Sequence, residues 1–86
     1  NQFLAKNIIY PKKATENGIQ GDVHITFTIT QYGNIENIIV NQGVNILLDK
    51  ETVRVMRELK FKSPPTVNGK PVNICVSMPV YFKLQG

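Results

Sequence analysis

An alternation of apolar and other residues near the end of the chain constrains the fold more than any other feature. Every second residue across positions 72–84 is apolar, and most of the residues between them are polar. A period of two is typical of a β-strand with one buried face. Pro79 lies inside this strand, and because proline has no N–H to donate, it occurs in sheets on edge strands, at first residues or at bulges. The pattern therefore predicts a long strand at a sheet edge, where another chain can pair with it.

Two further strands are predicted upstream, joined by a turn that contains Gly33. The first strand alternates polar residues with four apolar residues on one face: Val23, Ile25, Phe27 and Ile29. The second strand covers residues 35–40, but Ile35 is out of phase with the other apolar residues. A bulge near Glu36 and Asn37 would restore the phase. Because the turn is short, these two strands are expected to be antiparallel.

Two helices are predicted, a short one over residues 12–17 and a longer one after the second strand. Gly18 is placed to end the short helix in a left-handed conformation. Asn45 and Asp49 are the candidate N-caps of the long helix. Its period of 3.6 separates a buried arc from an exposed arc. The expected buried residues are Leu48, Thr52, Val53, Val55, Met56 and Leu59, and the expected exposed residues are Lys50, Glu51, Arg54, Arg57 and Glu58.

The order helix, strand, strand, helix, strand predicts an α+β fold with two layers. We expect a three-stranded antiparallel sheet in the order 2-1-3, covered on one face by the short and the longer helix. The last strand is then at an edge, in agreement with Pro79. Residues 1–9 have no clean period and are interpreted as an arriving segment at the end of a linker, and residues 10–86 as the domain.

The composition favours a binding module over an enzyme. The 86 residues suffice for one small domain, and the net charge of +4 comes from scattered basic residues rather than from a basic stripe, so nucleic-acid binding is not expected. His24 and Cys75 are the only histidine and cysteine. No metal-ligand cluster, nucleophile motif or phosphate loop surrounds them. We therefore expect no catalytic residue, no metal and no cofactor.

The chain resembles the C-terminal domain of TonB-type energy transducers, in the style found in Bacteroidetes-like bacteria. The resemblance rests on an ordered set of motifs in residues 5–11, 17–21, 43–44, 47–51, 68–72 and 78–84, together with Val23, Ile25 and Phe27 of the first strand and Gly33 of the hairpin. The chain departs from the family in three places. Asp22 stands where a basic residue is common, Phe61 where tryptophan is frequent, and residues 63–65 where Pro-Gly is frequent.

The resemblance implies a periplasmic domain that is tethered to the inner membrane by an N-terminal helix outside this sequence. An ExbB/ExbD-type inner-membrane motor would supply energy from the proton gradient for nutrient uptake. The domain would grip the TonB box of outer-membrane receptors by strand addition. The partner-binding residues would lie just before the Tyr-Pro pair and on the solvent face of the last strand: Asn7, Ile8, Ile9, Tyr10, Asn73, Cys75, Ser77, Tyr81 and Lys83.

Two alternatives keep the fold and change the role. The domain could be the C-terminal interaction or sensor module of a larger membrane protein, such as an antirepressor-type metallopeptidase. It could also be a structural module in which the edge strand pairs with its own copy in a homodimer.

Overall fold

The structure, a computed structural model, describes residues 2–84 of the chain. Within these residues the elements follow one another as α1 (Gln2–Asn7), α2 (Lys12–Glu16), β1 (Gly21–Ile29), β2 (Ile35–Gln42), α3 (Ile46–Glu58), β3 (Thr66–Val67), β4 (Lys70–Pro71) and β5 (Ile74–Phe82). Strands β1, β2 and β5 form a three-stranded antiparallel sheet in the order β2-β1-β5. The predicted fold class and strand order are therefore confirmed.

The two strand pairs of this sheet differ in regularity. β1 and β5 pair without interruption from Gly21 opposite Phe82 to Ile29 opposite Ile74. The register between β1 and β2 shifts twice, and the second shift lies opposite Asn37, which has a positive φ of 54°. The predicted bulge is confirmed. It lets Ile35 pack against the core together with the later apolar residues of β2.

The core lies between one face of the sheet and α3. Its largest fully buried residues come from β1 and α3: Val23, Ile25, Leu48, Thr52, Val55 and Met56. The hydroxyl of Thr52 donates to the carbonyl oxygen of Leu48 at 2.9 Å, so this buried polar group is satisfied. The predicted apolar arc of the long helix is confirmed, except that Val53 is only half-buried. The prediction for Glu51 is wrong, because Glu51 is buried.

The helix ends follow their sequence signals. At the end of α2, Gly18 has φ +66°, and the N–H of Ile19 donates to the carbonyl oxygen of Ala14 at 2.8 Å. This is the hydrogen bond that closes a Schellman motif. At the start of α3, the side chain of Asn45 accepts from the N–H of Leu47 at 2.9 Å, so Asn45 is the N-cap and not Asp49.

Two elements depart from the sequence-based expectations. Residues 2–7 of the predicted arriving segment form α1, a helix that no period in the sequence indicated, and Leu4 on this helix is buried. Asn1, the first residue of the predicted arriving segment, lies outside the described residues. Residues 66–71 form a separate hairpin, whose turn has positive φ at Asn68 and Gly69, as a type I′ turn requires. The final strand therefore begins at Ile74 and not at the start of the apolar alternation.

Candidate functional site

The outer edge of β5 is unpaired, since β1 lies on one side of it and no strand of the described residues lies on the other. Pro79 is opposite His24 in an unbroken register. A proline can be accommodated there only if its nitrogen faces away from β1. Because the backbone groups of a strand alternate between its two sides, the odd-numbered residues of β5 direct their N–H and C=O groups outwards. The free donors of this edge are therefore the N–H groups of Cys75, Ser77 and Tyr81.

The side chains of the same three residues lie on the sheet face that carries no helix. All three residues are exposed, and Tyr81 is 70% exposed. The Ser77 hydroxyl lies 2.9 Å from the hydroxyl of Thr26 on the neighbouring strand. This edge and its face thus offer backbone donors and side chains to the same incoming segment.

Two predicted site residues flank β5. Lys83 follows the strand and is exposed. Asn73 precedes the strand and is also exposed, but its side-chain oxygen accepts from the N–H of Gln31 at 2.7 Å. Asn73 therefore helps to hold the β1–β2 turn, and its oxygen is already engaged.

The opposite edge of the sheet is a poorer template for strand addition. β2 contains both register shifts and the positive φ of Asn37. Bulges bend a strand and break the row of evenly placed donors and acceptors. Of the two edges of the sheet, β5 is the one with a regular array.

Tyr10 connects the N-terminal segment to the end of β5. Its hydroxyl donates to the carbonyl oxygen of Ile19, and its ring packs edge-on against Phe82 with the centroids 5.5 Å apart. Ile9, which precedes it, is 66% exposed, whereas Ile8 packs partly against the core. Tyr10 therefore lies at the Phe82 end of β5.

The predicted site residues therefore form two groups. One group is Asn7, Ile8, Ile9 and Tyr10, of which Tyr10 contacts β5 at Phe82. The other group lies along β5. Cys75 lies about 20 Å along the strand from Tyr81, as six strand residues imply, and Asn73 lies beyond it. A single extended segment along β5 can reach both groups, but a compact ligand cannot.

An ion pair that the sequence analysis missed holds the N-terminal segment in place. The carboxylate of Glu51 accepts from the backbone N–H of Ile9 at 2.6 Å and from Nε and Nη2 of Arg54 at 2.6 and 2.7 Å. Nη2 of Arg54 also donates to the carbonyl oxygen of Asn7 at 3.0 Å. We call Glu51 and Arg54 the clasp. The Glu-x-x-Arg spacing is visible in the sequence, but its backbone partners forty residues away are not.

The electrostatics of the clasp follow from these contacts. The hydrogen bond from Arg54 lowers the pKa of Glu51, against the opposing effect of burial. The same hydrogen bond raises the already high pKa of Arg54. Both groups are therefore charged at neutral pH.

The described residues bring together no set of metal ligands. Residues 2–84 contain no group of three or more His, Cys, Asp or Glu side chains that could hold a metal ion. Cys75 is opposite Thr28, four residues along β1 from His24, or about 14 Å. The only histidine and the only cysteine thus lie too far apart to act as a pair. No helix of the described residues is long and apolar enough to cross a membrane.

Comparison with known proteins places the chain in a family. Residues 6–84 match the family described as Gram-negative bacterial TonB protein C-terminal. The protein TonB of Pseudomonas aeruginosa is 33% identical over 78 residues, which cover 90% of this chain and 22% of that protein. The protein TonB of Xanthomonas campestris pv. campestris strain B100 is 34% identical over 76 residues, covering 87% of this chain and 34% of that protein. The chain thus spans about a fifth to a third of the length of these relatives.

Solved structures agree with this assignment. The solution NMR structure of the Pseudomonas aeruginosa TonB C-terminal domain superposes with a TM-score of 0.78 at 32% identity, covering 91% of this chain and 79% of that one. An NMR structure of the Helicobacter pylori TonB C-terminal domain has the same fold, with a TM-score of 0.78 at 22% identity, covering 99% of this chain and 89% of that one. This chain therefore belongs to the family of Gram-negative bacterial TonB protein C-terminal domains.

Proposed function

We propose that this domain binds the TonB box of outer-membrane receptors by adding it to the sheet as a further strand at β5. The observation that carries the proposal is the regular, unpaired outer edge of β5. The domain works in the periplasm and has no enzymatic activity. An ExbB/ExbD-type motor reaches it through an inner-membrane anchor and linker outside this sequence. Energy from the proton gradient is then transmitted through the domain to the bound receptor and drives nutrient uptake.

The geometry of the edge sets a modest affinity. The incoming segment can accept from the outward N–H groups of Cys75, Ser77 and Tyr81, whereas Pro79 offers a carbonyl oxygen but no donor. Each such hydrogen bond has a net value of about 0.5–1.5 kcal/mol. The cost of ordering an extended peptide offsets part of this sum. Modest affinity suits a coupler that must release its receptor after each cycle.

Side chains would give the edge its selectivity. Strand addition takes affinity from backbone hydrogen bonds and specificity from alternate side chains. Cys75, Ser77, Tyr81 and Lys83 would line the segment on the helix-free face. A second contact is available from the N-terminal segment, because Tyr10 packs on Phe82 and its neighbour Ile9 has an exposed side chain.

Titration of the ¹⁵N-labelled domain with synthetic TonB-box peptides from the receptors of the same organism tests the proposal. We expect shifts concentrated on residues 74–83 and 7–10. Shifts confined to α3, or no binding by any of these peptides, would contradict the proposal.

A single proline substitution on β5 tests the mode of binding. Ser77→Pro removes an outward donor and should abolish peptide binding with the fold retained, because the register of β5 already tolerates Pro79. Ser77→Ala is the matched control, since it removes the same hydroxyl but keeps the N–H. If both variants bind the peptide equally well, backbone pairing at this edge is the wrong mode.

The same free edge favours one competing function, which is self-pairing of β5 in a homodimer. Sedimentation velocity distinguishes the two. A domain that stays monomeric at millimolar concentration and still binds the peptide supports the receptor-binding function. A stable dimer that Ser77→Pro dissociates supports self-pairing.

A further inference from the structure

A second groove lies away from β5, between α3 and β2, with a volume of about 690 Å³. Its apolar floor is formed by Val40 of β2 and by Ile46 and Val53 of α3, and Lys50 and Arg57 border it. Ile46 is 61% exposed, and the other two apolar residues are half-buried. Strand β1 separates this groove from the β5 edge. Both surfaces are therefore accessible at the same time.

The α3 residues of the groove form one continuous stripe. Ile46, Lys50, Val53 and Arg57 are spaced by four, three and four residues, which places them on one side of a helix. The stripe is about 16 Å long at 1.5 Å per residue. Apolar and cationic side chains alternate along it. Lys50 and Arg57 are seven residues apart, which is about 10.5 Å or two helical turns.

Three cations and two carboxylates line the groove, so its positive charges outnumber its negative charges. The groove is also lined by Arg54, Glu58 and Asp49. Arg54 is paired with Glu58 at 2.7 Å as well as with Glu51. The carboxylate of Asp49 accepts from the backbone N–H of Val44 at 3.1 Å.

Lys50 and Arg57, by contrast, have no ion-pair or hydrogen-bond partner within residues 2–84. An anionic partner is the one that complements these two free cations.

The elements that border the groove favour a helix over a strand as its occupant. β2 borders the groove but is bulged at Asn37 and shifts register twice. It therefore lacks the regular edge that strand addition requires. An apolar stripe beside a helix is instead the geometry of helix-in-groove recognition, in which side chains make the contacts.

We propose that this groove binds an amphipathic helix of another protein, which carries carboxylates seven residues apart. Its apolar stripe packs on Val40, Ile46 and Val53. Its two carboxylates pair with Lys50 and Arg57, because both helices rise equally per residue and a shallow crossing angle keeps the pairs aligned. The site is distinct from the β5 edge and does not depend on what binds there.

The test uses a synthetic helix as the probe. A lactam-bridged peptide of about 18 residues, long enough to remain helical, carries a leucine stripe flanked by two glutamates seven residues apart. A matched peptide has glutamine at both positions. In titrations of the ¹⁵N-labelled domain, the glutamate peptide should give saturable shifts along residues 46–57 and at Val40, and the glutamine peptide should bind several-fold more weakly.

Charge reversal on the domain completes the test. Each exposed ion pair contributes a factor of about two to five, so the double variant Lys50→Glu, Arg57→Glu should weaken the glutamate peptide about tenfold. Lys12→Glu with Lys13→Glu makes the same charge change on α2, outside the groove, and should leave binding unchanged. Both double variants should bind TonB-box peptides like the unmodified domain, which separates this site from the β5 edge.

Three results would overturn the proposal. The first is equal affinity for the glutamate and glutamine peptides. The second is an equal effect of the two double variants, which would mean that the peptide responds to the net charge of the domain and not to the groove. The third is the absence of saturable shifts along residues 46–57.

Discussion

Replacing Glu51 with glutamine should loosen the N-terminal segment from α3 while the fold survives. Glu51 is 9% exposed, and its two carboxylate oxygens accept three hydrogen bonds, one from Ile9 and two from Arg54. Glutamine has nearly the same shape, but it offers one acceptor oxygen and no negative charge. It therefore cannot accept together from the backbone N–H of Ile9 and from both Nε and Nη2 of the Arg54 guanidinium.

The size of the effect follows from the contacts that are lost. A hydrogen bond to a charged group contributes about 1.5–3 kcal/mol. The neutral amide keeps one acceptor and also avoids the cost of burying a charge, which offsets part of the loss. We expect the free energy of unfolding at pH 7 to fall by about 1–2 kcal/mol, with Tm lowered by about 4–8 °C for each kcal/mol in a domain of this size.

The effect of Glu51→Gln should depend on pH. The pKa of Glu51 is lowered in the folded protein by Arg54. A lowered pKa gives stability that is fully present above the ordinary value of about 4.3 and is lost as the pH falls through the folded value. The difference in Tm between the two proteins should therefore be constant at neutral pH and should shrink below about pH 4.

Thermal unfolding and amide hydrogen exchange at Ile9 measure the effect. Glu58→Gln is the matched control, because it removes the other, more exposed ion pair of Arg54 and leaves the Ile9 N–H bonded. Glu58→Gln should change stability by less than about 0.5 kcal/mol. The reasoning fails if Glu51→Gln leaves both Tm and Ile9 exchange unchanged at pH 7, or if the two variants behave alike.

Three further substitutions test the backbone and the N-terminal contact. Gly33→Ala should cost about 2–3 kcal/mol, because Gly33 has φ +82° and an added Cβ would press against the carbonyl oxygen of Phe61. Gly69→Ala, at a similar φ but in open space, should cost about 1 kcal/mol. Tyr10→Phe should lower the free energy of unfolding by about 0.5–1.5 kcal/mol by removing the hydrogen bond to Ile19. Urea unfolding checks all three, and equal losses for the two glycine variants would contradict the steric argument.

The sheet and α3 were predictable because their signals are local and periodic. The alternation in β1 and β5 places their apolar residues on one face of each strand, and the 3.6-residue period of α3 places its apolar residues on one side of the helix. The structure buries these faces. The bulge near Asn37 was predictable for the same reason, since the phase of the apolar residues breaks there. Pro79 identified β5 as an edge strand, because a missing N–H restricts where a strand can lie.

Elements that depend on tertiary contacts were not predictable from local patterns. A helix as short as α1 is unstable alone, so it forms only because Leu4 is buried and the helix packs against α3. Glu51 belongs to the polar arc of α3 by periodicity. It is nevertheless buried, because hydrogen bonds from the Ile9 N–H and the Arg54 guanidinium replace the hydration that its carboxylate loses. The clasp thus depends on residues far apart in sequence.

The candidate site was partly predictable in the same sense. The sequence indicated the edge and the alternate residues along it. The unbroken pairing of β1 with β5 in the structure then identifies the N–H groups that point outwards. The sequence did not indicate that the predicted residues form two groups, because the packing of Tyr10 on Phe82 fixes only one end of β5.

Hydrogen exchange of the outward amides of β5 tests the central claim most directly. The N–H groups of Cys75, Ser77 and Tyr81 should exchange fast in the free domain, because they face solvent at the unpaired edge. Saturation with a TonB-box peptide should slow their exchange, while the N–H groups of Val76 and Val80, which already face β1, change little. If the peptide saturates the domain and these three outward amides still exchange as fast as before, the receptor segment is not bound as a strand on β5.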